Sequence, residues 1–213
     1  MRIFLAALLS AGCATAQDGE PPAARHLAGE WIVKFEDATP AAEALRRSGA
    51  DPAADPALVA YVDEIGESLS LPLAIRQVTS GAEVLLAIDV RALVEDAAER
   101  TRELDGVADA RAPLPDESTP PAAVYEVRLA SGSRAAAALA AASAAGKATD
   151  ERLDDLVGGF SRELALPLRY RIAGDALEVE IDLTALTESA AERLREMPEV
   201  RYVELNQLFD PTM

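Results

Sequence analysis

The chain has one cysteine and one histidine among its 213 residues. Cys13 lies in a predicted export segment, so we expect the folded part to have no disulfide, thiolate nucleophile or Cys-based metal site. His26 stands in a lead-in containing Pro, Ala and Gly, where we expect a solvated linker. Serine hydrolysis with a His base, thiol chemistry and His-ligated zinc therefore lack their central residue. We expect a non-catalytic protein with no metal and no cofactor.

Long hydrophobic runs are also missing, because no segment reaches the ~20 apolar residues that span a bilayer. Residues 1–16 have one basic residue, a short apolar run and then small residues, which is typical of a secretory signal peptide. Two processing sites stay open: Ala14-Thr15-Ala16 before Gln17, and a lipobox-like stretch that ends at Cys13. We expect an extracytoplasmic protein, either periplasmic or secreted, or lipid-anchored to the outer membrane through Cys13.

Basic residues are few. The chain has 20 Lys and Arg against 37 Asp and Glu, a net charge of −17, and a pI near 4.4. Such a protein repels phosphate backbones and anionic membrane surfaces. We expect no nucleic-acid partner, and no membrane contact except through a lipid anchor.

What the chain does contain is an internal repeat. Leu71-Pro72-Leu73 recurs as Leu166-Pro167-Leu168, and the segment AAER at residues 97–100 recurs at residues 190–193. Matches of this kind at nearly constant spacing indicate two copies of one supersecondary unit. The repeat predicts units over residues 29–112 and 122–213, joined by a Pro-rich linker at residues 113–121.

In the second unit, apolar residues alternate with acidic ones from Leu177 to Leu183, which predicts a half-buried strand. Its partner is residues 168–172, joined through a two-residue Gly174-Asp175 turn. This register pairs Arg171 with Glu178 and Arg169 with Glu180 on one face. We interpret these charges as surface stabilisation and not as an acid/base site.

Helices are predicted over residues 135–145 and 150–164, and again after Thr187, which we expect to be an N-cap. A last strand follows from Val200 to Leu205. The order strand, helices, strand, strand, helix, strand predicts an α+β fold of two tandem ferredoxin-like (βαββαβ) units. Each unit should place its helices on one face of a four-stranded antiparallel sheet. The first unit repeats this order, with helices near residues 39–47 and 56–69.

The closing stretch LREMPEVRYVELN, residues 194–206, resembles the end of the prodomains of subtilisin-like proteases. The hairpin of residues 168–172 also resembles their central strands. The resemblance implies an open sheet face that packs on two protease helices, acidic strand residues that cap those helices, and a tail in the substrate cleft. It assigns protease binding to these residues: Tyr202, Glu204, Asn206, Leu208, Phe209, Asp210, Pro211, Thr212 and Met213.

We expect no protease domain after Met213, and therefore a stand-alone inhibitor or folding chaperone of a subtilisin-like serine protease. The alternative is a periplasmic binding or scaffolding module that retains only the fold. A second question concerns unit one, whose corresponding face is more apolar at Ile32, Ala74, Leu85 and Ala87. Such a face needs a cover, which is either the other unit or a partner.

Overall fold

The computed structural model describes residues 26–48, 55–78, 83–114 and 122–207. In these ranges the chain forms eight strands: β1 (His26–Phe35), β2 (Leu73–Val78), β3 (Glu83–Ile88), β4 (Val107–Arg111), β5 (Val124–Leu129), β6 (Leu168–Ala173), β7 (Ala176–Ile181) and β8 (Val200–Gln207). It also forms six helices: α1 (Pro40–Ser48), α2 (Pro56–Leu69), α3 (Val90–Arg102), α4 (Arg134–Ala144), α5 (Glu151–Leu164) and α6 (Leu183–Arg195). The predicted signal segment, which contains Cys13, and the linker residues 115–121 lie outside the described residues.

The strands form two four-stranded antiparallel sheets. Sheet A has the order β2-β3-β1-β8 and sheet B has the order β4-β5-β7-β6. Each sheet therefore takes three strands from one half of the repeat and its fourth strand from the other half. The expected α+β class is confirmed, but the repeat units do not coincide with the sheets, because the last strands are exchanged.

The exchange includes the helix that precedes each last strand. α6 packs on β1 and β8 of sheet A, whereas α3 packs on β4 and β5 of sheet B. The crossing points are Asp89 and Asp182, which follow β3 and β7. Each is an N-cap whose carboxylate accepts a hydrogen bond at 3.1 Å, from the amides of Ala92 and Ala185 respectively. These caps start a helix at the point where the chain leaves one sheet for the other.

One side of each sheet faces a continuous hydrophobic core. Trp31 on β1 and Tyr125 on β5 are the largest fully buried side chains. The indole Nε1 of Trp31 donates to the carbonyl oxygen of Thr187 in α6 at 3.0 Å. The hydroxyl of Tyr125 lies 3.2 Å from Oγ1 of Thr101 in α3. Each central aromatic is thus bonded to the helix supplied by the other half, which satisfies its polar atom inside the core.

Repeat-related arginines join the halves at the ends of two further helices. Arg193 in α6 donates to the carbonyl oxygen of Leu69 at 2.9 Å, and Arg100 in α3 donates to that of Leu164 at 3.0 Å. Leu69 and Leu164 are the last residues of α2 and α5, where carbonyls have no partner within the helix. A cationic side chain at this end also complements the helix dipole.

Two further arginines cover the edge strands. Arg102 donates to the carbonyl oxygen of Ala110 on β4 at 2.6 Å, and Arg195 donates to that of Val203 on β8 at 3.3 Å. Both arginines come from the helix that precedes the strand they cover. An unpaired edge carbonyl is a template for pairing with another chain, so these contacts partly block one edge of each sheet.

The predicted hairpin is confirmed: β6 and β7 pair Arg171 with Glu178 and Arg169 with Glu180. Arg171 Nε also donates to Glu178 Oε1 at 2.7 Å. The side chain of Arg169, however, forms its ion pair with Asp182 and not with Glu180. Asp182 is the less mobile partner because its carboxylate is already fixed as the N-cap of α6.

Three local predictions are wrong. The strand predicted to reach Leu183 ends at Ile181, because Asp182 is the N-cap of α6 and Leu183 is its first residue. Thr187 is not an N-cap, because α6 begins at Leu183 after the cap Asp182. Thr187 is fully buried inside the helix, where its Oγ1 accepts a hydrogen bond from the amide of Gly29 at 2.6 Å. His26 is not in a linker but begins β1, opposite Gln207 of β8. Its Nε2 is buried without a hydrogen-bond partner among the described residues.

Candidate functional site

The open face of sheet A is the side turned away from the core. Because side chains alternate along a strand, the residues between the buried positions of each strand share this face. On β1, Ile32 and Lys34 alternate with Trp31, Val33 and Phe35, which are at most 1% exposed. The open face of sheet A comprises Glu30, Ile32, Lys34, Ala74, Gln77, Glu83, Leu85, Ala87, Tyr202, Glu204 and Asn206.

The centre of this face is apolar. Ile32 is paired directly with Leu85 of β3 on one side and with Glu204 of β8 on the other. Ala87 of β3 lies opposite Ala74 of β2. The side chains of Ile32 and Leu85 are only partly buried, although each stands in the middle of a sheet. A partly exposed apolar centre is a surface that gains free energy when another molecule covers it.

The rim of the face is acidic, and most of it is internally bonded. The hydroxyl of Tyr202 donates to the carboxylate of Glu83, which raises the pKa of Tyr202 to about 12. Lys34 Nζ lies 3.9 Å from Oε1 of Glu83 and 5.9 Å from the centre of the Tyr202 ring. Asn206 Nδ2 donates to Oε2 of Glu30 at 2.6 Å. These contacts orient Tyr202 and Asn206 along the strand.

Glu204 differs from its neighbours on the rim. Its side chain is exposed, and it forms no hydrogen bond or ion pair within the described part of the chain. It stands between Tyr202 and Asn206 on the same face of β8 and beside Ile32. This carboxylate therefore remains available to an external hydrogen-bond donor or positive charge next to an apolar surface.

Of the residues predicted to bind a protease, the structure brings Tyr202, Glu204 and Asn206 together on one face. The six tail residues lie outside the described residues: Leu208, Phe209, Asp210, Pro211, Thr212 and Met213. The sequence predicts that Ile32 and Leu85 lie on a face formed by unit one alone. Alternation along β1 and β3 identifies that face from the sequence, but no sequence signal places β8 beside it.

The open face of sheet A is not the surface through which the halves meet. Their main contacts run through the exchanged elements: α6 against β1, α3 against β5, and the pairs β1–β8 and β4–β5. The expectation that the other unit covers this apolar face therefore does not match the structure. A cleft of ≈ 350 Å³ does lie between the halves, but its arginines, Arg100 and Arg193, are already bonded to helix ends.

Across residues 26–48, 55–78, 83–114 and 122–207, no group of three or more His, Cys, Asp or Glu side chains could hold a metal ion. In the same ranges no helix is long and apolar enough to cross a membrane. Comparison with protein families, with curated proteins and with solved structures found no match to this chain.

Proposed function

We propose that this protein is an exported inhibitor or folding chaperone of a subtilisin-like serine protease, and that it docks through the open face of sheet A. One observation carries the proposal: Glu204 presents an unpaired carboxylate beside the apolar centre at Ile32 and Leu85. It does so on β8, the strand that immediately precedes the predicted tail. These are the three features that prodomain-type binding uses: an open face, an acidic cap and a following tail.

The physical basis of docking is the match between this surface and two surface helices of a protease. An apolar sheet centre is covered by the helices' side chains, which removes it from water. A carboxylate at the rim accepts hydrogen bonds from the free amides at a helix N-terminus and complements the positive end of its dipole. Glu204 fits this role, and Asn206 is also a good capping side chain.

In this proposal the tail adds itself as a strand in the substrate cleft, where main-chain hydrogen bonds give affinity and alternate side chains fill subsites. Phe209 then takes a deep apolar subsite and Pro211 a shallow one, with Thr212 or Met213 near the catalytic serine. Leu208 and Asp210 point to the other side of the added strand. The protein itself acts without catalysis and without a cofactor.

We further propose that the two sheets derive from two ferredoxin-like units that have exchanged their last helix and strand. Both halves have the same order of elements along the chain, and both sheets place the exchanged strand beside their first strand. In this view the first half supplies three strands of the docking surface, and the second half supplies β8 and the tail. Neither half alone carries the complete surface.

The proposed location is extracytoplasmic, periplasmic or secreted, because residues 1–16 have the pattern of an export signal. Cys13 is the proposed lipidation site if the lipobox-like stretch is used. A negative charge of this size is not suited to nucleic acid.

The test is the residual activity of a broad-specificity subtilisin titrated with residues 17–213 and with a version that ends at Gln207. Two charge variants accompany them: Glu204→Gln on the open face of sheet A, and Glu180→Gln as the matched control on an exposed position of sheet B. We expect tight inhibition by the full chain, weaker inhibition without the tail, weaker inhibition by Glu204→Gln, and no change with Glu180→Gln. The recovery of active protease from denaturant, with and without the protein, separates a chaperone from an inhibitor.

Two results contradict the proposal. One is no inhibition and no folding assistance at concentrations up to ~10 μM, which means an affinity weaker than most specific complexes. The other is equal loss of inhibition in Glu204→Gln and Glu180→Gln, which indicates a non-specific charge effect. Either result leaves the alternative, a periplasmic binding module that retains only the fold.

A further inference from the structure

We infer that the two halves of this chain recognise each other as separate partners, so that the assembled molecule survives a backbone break between Leu114 and Ala122. The first half is residues 26–114 and the second is residues 122–207. The inference concerns how the fold is held together and does not depend on the proposed function.

The first support is the extent of the exchanged pairing. β8 pairs with β1 from His26 opposite Gln207 to Phe35 opposite Val200, and β4 pairs with β5 from Val107 to Arg111. Both are main-chain ladders between residues of different halves. Separation of the halves would remove an edge strand from each sheet and leave the backbone groups of β1 and β5 unpaired.

The second support is the core that the exchange closes. On the exchanged helices, Ala97, Ala98 and Leu194 are completely buried. They pack in the same continuous cluster as Trp31 and Tyr125, the central aromatics of the sheets they cover. Because each helix buries its apolar face against the other half, separation would expose both cores to water.

The third support is a set of polar contacts that only the assembled halves can make. Thr187 bonds to Gly29 and Trp31 at 2.6 and 3.0 Å. Arg193 and Arg100 bond to the ends of α2 and α5 in the opposite half. The two Thr187 bonds are buried and the two arginine bonds are partly buried, so each adds a net hydrogen-bond contribution that separation of the halves would lose.

The described end of the first half, in contrast, adds little. Pro113 is exposed and the side chain of Leu114 is 93% exposed, so the described end of the first half makes few contacts beyond Ala112. The connection runs from β4 to β5, which are neighbours in sheet B. Its contribution is the high effective concentration of one half near the other. A cut there makes assembly bimolecular and leaves every exchanged contact in place.

The consequence is a protein that tolerates proteolysis between Leu114 and Ala122. Sheet A consists of β1, β2 and β3 together with β8, which stays attached through its pairing with β1 and through the packing of α6 on β1. The open face of sheet A therefore persists after the chain is cut.

The experiment uses the full chain with Asp116 to Thr119 replaced by the recognition sequence of a site-specific protease. The protein is cut under native conditions, and a denaturing gel verifies that cutting is complete. We expect both fragments to co-elute as one species of unchanged size. Trp31 is the only tryptophan, and its indole contacts α6, so its fluorescence reports directly on the assembly. We expect its emission to stay that of a buried indole.

A second expected signature is the concentration dependence of thermal unfolding. The midpoint of the cut protein rises with protein concentration, whereas that of the uncut protein does not, because only the cut form unfolds into two molecules. Fragments that elute separately at micromolar concentration, or Trp31 emission that shifts to that of a solvated indole, would overturn the inference.

Matched variants on β8 distinguish the exchanged interface from non-specific association. Leu205 lies opposite Trp31 and packs on the core, whereas Arg201 is exposed and its only side-chain contact with the first half among the described residues is an exposed ion pair with Asp37 at 3.4 Å. We expect Leu205→Ala to raise the dissociation constant of the cut fragments about tenfold, and Arg201→Ala to raise it less than about threefold, because exposed ion pairs contribute little. Equal effects of the two substitutions contradict the inference.

Discussion

The open faces of sheets A and B occupy equivalent positions in the repeat but have opposite chemistry. Ile32 and Leu85 lie in the middle of the open face of sheet A. The corresponding positions of sheet B are Glu126 and Glu178, which pair with Arg128 and Arg171 at 2.9 and 2.5 Å. Arg111 on β4, where β8 has Glu204, is bonded to Asp109 at 2.5 Å. The charges on the open face of sheet B are therefore paired with one another, whereas the centre of the open face of sheet A is apolar.

This contrast teaches that the repeat alone does not determine which surface is available to a partner. Ion pairs within strands and between β6 and β7 keep the open face of sheet B hydrated, and each exposed pair contributes up to about 1 kcal/mol. On sheet A the same backbone positions carry apolar side chains, which are poorly hydrated. We therefore expect one docking surface for each chain and a 1:1 complex with a protease.

The largest effect is expected when an apolar residue at the centre of the open face of sheet A is replaced by the acidic residue that sheet B has at the equivalent position. Ile32→Glu places a charge in the apolar centre, next to Glu204, and should weaken protease inhibition by at least about 30-fold, the effect of losing a central interface residue. The inhibition constant measures this, and circular dichroism checks the fold.

The reciprocal substitution is the control. Glu126→Ile changes the equivalent position of sheet B and should leave the inhibition constant unchanged. If Ile32→Glu inhibits as well as the unaltered protein, the open face of sheet A is not the docking surface.

A smaller effect on inhibition is expected from a substitution at the rim of the open face of sheet A. Glu204→Gln keeps the shape and removes the charge, so inhibition should weaken about fivefold, in line with a carboxylate at a helix N-terminus. The free energy of unfolding should not change, because Glu204 has no ion pair among the described residues. Added salt should reduce the difference between the two proteins. A salt-independent difference points instead to a change in packing.

Next in size is the effect of removing the charges from sheet B. Arg171→Leu combined with Glu178→Leu replaces an exposed ion pair, so the free energy of unfolding should change by less than about 1 kcal/mol. The new apolar patch should instead cause self-association, which light scattering measures. If the variant stays monomeric at high concentration, charge is not what keeps this face solvated.

The smallest effect at neutral pH is expected from Tyr202→Phe, which removes the hydroxyl bonded to Glu83. At alkaline pH the tyrosines become informative. The hydrogen bond to Glu83 raises the pKa of Tyr202 to about 12, and burial raises the pKa of Tyr170 in sheet B to about 12.

A raised tyrosine pKa stabilises the folded state below the ordinary value of 10, because the unfolded chain loses its proton first. This stability is lost as the pH rises from 10 towards 12. Absorbance of tyrosinate should therefore increase near pH 12 in the folded protein. Tyr202→Phe should remove one tyrosine from that transition, and a transition centred near pH 10 contradicts the assignment.

The sequence by itself determined the elements, because their signals are local. Alternation of apolar and acidic residues along β7, the Gly174-Asp175 turn and the ranges of α2 and α5 all matched the structure. It also identified which side of each strand is apolar. Thr187 was misread because a threonine before a glutamate is typical of an N-cap, and its bond to Gly29 depends on a residue far away in the chain.

Only the tertiary structure decided which sheet each last strand joins. β4 and β8 are equivalent in the repeat, so each could complete either sheet with similar main-chain pairing and similar burial, and no local pattern separates the two choices. β4 and β5 are joined by a short connection and lie side by side in sheet B, which leaves the place beside β1 to β8. Glu204 thereby comes to stand beside Ile32, because strand partners are chosen by the packing of the whole chain and not by any one segment.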